Sequence, residues 1–124
     1  MRWAIIVRYP GVGIMSFTRI ADSASLAPGA MQGHVVGDVK VLLVNLDGAV
    51  VAYEDACPHR GVPLSWGMLE PASGTLTCGM HLQQYDVRTG KGLNVRDDGL
   101  RRLPSKVDDG AIWVDVDINV DVAR

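Results

Sequence analysis

The sequence is poor in the features that announce several common functions. Its 124 residues hold two cysteines and one phenylalanine. No apolar stretch approaches the roughly 20 residues that a membrane-spanning helix needs; WAIIV and VLLVNL are the kind of run it has. A basic excess is missing too. Twelve Lys and Arg against 14 Asp and Glu leave a net charge of −2, without the positive stripe that gripping phosphates requires. The N-terminal stretch MRWAIIVRYPGVGI is interrupted by Arg8 before it can build the apolar core of an export signal, and no small-residue cleavage site follows. These absences predict a cytoplasmic protein that binds neither nucleic acid nor membrane. In that compartment both cysteines are thiolates available to a metal rather than one disulfide.

Helical periodicity is also lacking: no segment of ten or more residues places apolar side chains at 3.6-residue spacing. The chain instead reads as β. From Gln32 onward it is rich in β-branched residues, and Asp47-Gly48 between KVLLVNL and AVVAYE marks a hairpin, because Gly accepts positive φ and Asp tolerates it. GTLTC and QQYDV are further strands, with a turn at Thr89-Gly90. After Asp109-Gly110, Val114, Val116, Ile118, Val120 and Val122 alternate with Asp115, Asp117, Asn119 and Asp121, which predicts a strand with one buried and one solvated face. A short helix is expected only near LEPAS, residues 69–73. At 48% hydrophobic and 21% charged residues the composition is that of one ordinary domain. The expected class is all-β, an antiparallel sandwich or partly open barrel over residues 15–124. Residues 1–14 read as an appendage and Met15 as a candidate start.

Against this background two short loops stand out. CPHRGVPL places Cys57 and His59 two residues apart, and CGMH places Cys78 three residues before His81; His34 is the one other histidine. Cysteine and histidine at such spacing in an extended loop can point the same way. Each loop lies between strands, so two facing loops make a four-ligand clamp. Pro58 and Pro63 stiffen the first, and glycines at 61, 67, 74 and 79 let backbone N–H groups approach sulfur. Four chemistries compete. A structural zinc site is one, although zinc motifs usually pair Cys with Cys and His with His. A Cys/His nucleophile leaves one such pair without a role. Unremarkable buried residues do not account for the duplication. The fourth is a [2Fe–2S] centre with two thiolates on one iron and two imidazoles on the other, the Rieske arrangement.

The stretches CPHRGVPLSWG (57–67) and CGMHLQQYDVRTGKG (78–92) resemble the Rieske signature, Cys-x-His-x-Gly followed by Cys-x-x-His before an aromatic-Asp pair. The resemblance implies a small cluster-binding subdomain, about residues 55–93, with Cys57 and Cys78 on one iron and His59 and His81 on the other. Val62 and Met80 stand where respiratory members carry extra cysteines, and Gln83 stands near their serine, so the chain is similar to the soluble low-potential type. MSFTRI, both boxes and TGKGLN are similar to the ferredoxin component of toluene and alkene mono-oxygenases with a di-iron hydroxylase. That group carries Trp at the position of Gln83 and Pro at that of Val95. The resemblance implies a monomeric carrier of single electrons, from an NAD(P)H-dependent flavin reductase to a terminal oxygenase, with no catalytic residues of its own. Its rivals are the ferredoxin of an aromatic-ring dioxygenase or nitrite-reductase-like system and, in another class, a zinc-stabilised β module for protein binding.

Lesser expectations concern single residues. His34 is a surface or hydrogen-bonded histidine, Tyr85 packs under the loops and Asp86 closes a turn. Trp66 is a loop anchor or part of a partner face, and Arg60, beside His59, is a contact residue.

Overall fold

A computed structural model describes residues 4–9, 13–58, 61–79 and 83–116, with side chains from Ser16 onward. The two Asp-Gly pairs act as their backbone preferences require. Asp47 and Gly48 both take positive φ, 54° and 94°, as do Asp109 and Gly110 at 53° and 72°. This is the geometry of a two-residue hairpin loop whose twist matches that of the strands it joins. The first pair connects β4 (Val39–Leu46) to β5 (Ala49–Glu54), with Leu46 opposite Ala49; the second connects β10 (Ser105–Asp108) to β11 (Ala111–Val114).

Among the described residues all strand pairings are antiparallel and fall into three open sheets. One contains β1 (Ala4–Tyr9), β2 (Gly13–Asp22), β11 and β10 in that order. The second runs β3 (Met31–Val36), β4, β5 and β9 (Arg102–Leu103). The third, smaller, runs β6 (Met68–Glu70), β7 (Thr75–Thr77) and β8 (Gln84–Asp86). The all-β expectation holds. Residues 4–9 of the N-terminal segment form the outer strand of the first sheet, from Ala4 opposite Thr18 to Tyr9 opposite Gly13.

The middle sheet is buried on both faces, which explains why VLLV, residues 41–44, is continuously apolar rather than alternating. Val41 and Leu43 pack toward the first sheet with Leu26, Leu103, Ile112 and Val114. Leu42, Val44 and Leu46 pack the other way, against Leu64, Leu76, Tyr85 and both cysteines. Val41, Leu42, Leu43 and Val44 have no exposed surface; at about 2 kcal/mol for each fully buried side chain, β4 is the spine of the molecule.

Two sequence expectations are corrected. Residues near LEPAS form no helix: Leu69 and Glu70 end β6, and Pro71 to Gly74 turn directly into β7. The Glu70 carboxylate accepts the Ala72 N–H at 3.0 Å and its carbonyl accepts the Gly74 N–H at 2.9 Å, holding a tight turn where Pro71 has no N–H to give a helix. The alternation expected after Asp109 is also not followed at Asp115, within the three of its positions, 114–116, that are described. The strand stops at Val114, and Ala111 to Val116, Asp115 included, are all buried. Trp113 lies back along the hairpin with its indole N–H on the Asp108 carbonyl at 3.1 Å, and the Asp115 N–H turns to Pro104 O at 2.9 Å. Tertiary packing thus overrides the period-two pattern. Asp117, Asn119, Asp121 and the apolar residues between them lie outside the described residues.

Candidate functional site

Both cysteines emerge at strand ends, where the chain leaves one sheet and turns back. After β5, the Asp55 N–H bonds Lys40 O at 2.8 Å, and the chain then folds into a loop closed by Cys57 N–H on Val62 O at 2.8 Å. Inside it the Gly61 N–H returns to Cys57 O at 2.8 Å, with Gly61 at φ 70°. After β7, the Cys78 N–H bonds Gln83 O at 2.8 Å and β8 begins. Each loop is therefore closed in the same way, by a cysteine N–H on the carbonyl five residues later. His59 and His81 fall within these two loops in sequence. Both lie outside the described residues, as do Arg60 and Met80.

The two thiols are brought together from below. Cys57 is 2% exposed and Cys78 has no exposed surface, both are free of disulfide, and both belong to the cluster around Leu64, Leu76 and Tyr85. The Cys57 thiol lies 3.5 Å from Gln83 Oε1, so a side chain of the second loop reaches the ligand of the first.

Two of the loop glycines make room for a close backbone approach. A side chain at Gly67 would run into the Thr77 carbonyl, and one at Gly79 would stand 3.1 Å from the Trp66 carbonyl. These glycines let the two loops pack backbone to backbone. Gly74 lies away from the loops, beneath Arg88.

A second device, not anticipated from sequence, braces the first loop. The buried Asp55 carboxylate accepts both the Ser65 backbone N–H at 2.8 Å and its hydroxyl at 2.7 Å. A side chain at Gly33 of β3 would meet this pair at 2.7 and 2.8 Å, so glycine there makes room for it. An acid two residues before Cys57 with a serine ten residues on was the available signal. Asp55→Ala leaves a half-buried N–H and hydroxyl without their acceptor and should cost about 1 kcal/mol, read as a lower denaturant midpoint. An unchanged midpoint would show that the bond contributes nothing net.

Tyr85 and Asp86 take the structural parts expected of them. Tyr85 is fully buried beneath the loops and donates to Asp97 Oδ2 at 2.8 Å. Burial, then that bond to a carboxylate, push its phenol well above the usual tyrosine range. Asp86 closes the following turn, accepting the Gly90 N–H at 2.6 Å on its carbonyl and the Arg88 N–H at 2.9 Å on its carboxylate. His34 shares a 3.0 Å hydrogen bond with Gln32. Trp66 is no anchor: its side chain is 73% exposed, as is Met68 at 76%.

Among the described residues no three His, Cys, Asp or Glu side chains converge; the two thiols are the described half of the expected ligand set. They fit an iron–sulfur group nevertheless. Two soft, buried, disulfide-free sulfurs at the bases of two identically closed loops are donors suited to iron.

The Rieske [2Fe-2S] domain family matches residues 16–104. The chain is 37% identical over 86 residues to the ferredoxin component of the alkene monooxygenase system of Xanthobacter autotrophicus, spanning 69% of this chain and 70% of that one. It is 38% identical over 77 residues to the ferredoxin component of biphenyl 2,3-dioxygenase of Rhodococcus jostii, spanning 62% and 70%. In structure it is similar to the ferredoxin of carbazole 1,9a-dioxygenase from Nocardioides aromaticivorans, with a TM-score of 0.72 and 27% identity, covering 79% of this chain and 95% of that one. The cofactor is thus one Rieske-type [2Fe–2S] cluster rather than zinc, and the chain belongs to the Rieske [2Fe–2S] domain family.

Proposed function

We propose that this chain is the ferredoxin of an oxygenase system, taking single electrons from an NAD(P)H-dependent flavin reductase and delivering them to a terminal oxygenase. The observation that carries the reading is the pair of buried, disulfide-free thiols at the bases of two loops with the same closure. Cys57 and Cys78 hold one iron, and His59 and His81, inside the closed loops in sequence, hold the other. The bound cluster supplies a one-electron couple. The polypeptide does the rest: the core from Leu42 to Tyr85 keeps water from the sulfurs, and the Asp55–Ser65 bond holds the first loop in place. The protein transforms no organic substrate itself and works as a monomer.

A di-iron hydrocarbon mono-oxygenase is the partner favoured here, supported by the similarity to the alkene monooxygenase ferredoxin. The similarity to the biphenyl dioxygenase ferredoxin favours a second reading, in which the acceptor is an aromatic-ring dioxygenase. Residues 15–124 form the domain and residues 1–14 an appendage, a division supported by a family match that begins at residue 16, with β1 and the first two residues of β2 extending the first sheet. Among the described residues no helix is long and apolar enough to cross a membrane.

The partner face lies beside the second loop, a reading supported by two exposed apolar side chains there. Trp66 ends a single 3-10 turn and Met68 opens β6; both are exposed, and the Trp66 carbonyl lies against Gly79 of the second loop. Purification without oxygen, iron and sulfide counts, and the EPR spectrum after dithionite reduction test the cluster; a colourless protein with one zinc rejects it. Trp66→Ala tests the face. It should leave iron content and potential at wild-type values and slow electron delivery to a di-iron hydroxylase, whereas an unchanged rate removes Trp66 from that surface.

A further inference from the structure

One residue touches both thiol ligands. The Gln83 carbonyl accepts the Cys78 N–H at 2.8 Å, and its side-chain amide reaches Cys57 Sγ at 3.5 Å. Its main chain is fixed on both sides of the peptide: the next N–H, that of Gln84, donates to Asn94 Oδ1 at 2.8 Å, and Gln84 pairs with Thr77 across β7 and β8. The side chain therefore starts from a set position rather than wandering over the surface.

We infer that Gln83 sets the potential of the site by donating a side-chain N–H to the Cys57 sulfur. With a protonated thiol, the S–H is the donor and Oε1 the acceptor. A metal-bound thiolate has no proton to give, and an oxygen lone pair facing it is repelled. A half-turn of the amide brings Nε2 to the same place and turns the contact into a donor to negative sulfur. Gln83 is half-buried, so this bond competes less with water than an exposed one. Reduction adds negative charge that the sulfurs share, and a donor stabilises the reduced form more than the oxidised one. The direction is upward: with Gln83 the site accepts an electron more readily.

This inference rests on the ligand assignment proposed above, and the test separates the two. Gln83→Met and Gln83→Glu both fill the space and lack the amide N–H. Iron content and midpoint potential are measured on each, together with the coupling of exchangeable protons to the reduced centre in H₂O and D₂O. Both variants should load iron as the wild type does and show lower potentials, Gln83→Glu the lower because it adds a negative charge. One exchangeable-proton coupling of the wild type should be missing from Gln83→Met. Wild-type potential in an iron-loaded Gln83→Met overturns the inference and leaves the ligand assignment standing. Failure of both variants to load iron overturns it too, making Gln83 a support for the loop. A wild-type protein without iron overturns the ligand assignment itself.

Discussion

Cys78→Ser is expected to give a folded, colourless protein with no more iron than background. Cys78 has no exposed surface and lies in one cluster with Leu76 and Tyr85, so the sulfur offered there is dry and has no competing disulfide. A serine hydroxyl is a hard, protonated donor at neutral pH, where the thiolate is a soft anion matched to iron and sulfide. Loss of a supporting partner alone typically costs about 10–100-fold in metal affinity, and loss of the ligand must cost more. The fold should survive, because the packing of Leu43, Leu103, Ile112 and Val114 between the first two sheets contains no cysteine. Iron and sulfide counts with far-UV circular dichroism check both halves of the statement. Cys57→Ser should behave alike, and a full iron complement in either variant would remove that cysteine from the ligand set.

His81→Cys should keep a cluster and lower its potential by an amount on the order of 200 mV, a part of the roughly 250–700 mV that separates mixed from all-cysteine ligation. The reason is charge. Two ferric ions, two sulfides and two thiolates sum to zero, and a third thiolate in place of a neutral imidazole makes the oxidised centre negative. An electron then enters against repulsion in surroundings less polar than water, where charges interact more strongly. Protein-film voltammetry measures the shift, and an unchanged potential in an iron-loaded variant would exclude His81 as a ligand.

What the sequence by itself determined is what depends on neighbours along the chain. The Cys-x-His and Cys-x-x-His spacings are covalent facts, and the Asp-Gly turns at 47–48 and 109–110 follow from the φ angles those residues tolerate. Strand character was legible for the same reason, and the two-loop subdomain through the resemblance of its motifs to the Rieske signature. Only the tertiary structure decided the rest, because it depends on pairs far apart in sequence. Asp55 meets Ser65 ten residues on, Cys57 meets Gln83 across 26, and Gly67 earns its place only because the Thr77 carbonyl lies against it. The continuous apolar run VLLV is explained by sheets on both of its faces, and Asp115 is drawn inward although a period-two pattern assigns it to solvent. Local preference chooses strands and turns; which side chains end up under a sulfur is chosen by how three sheets close over one another.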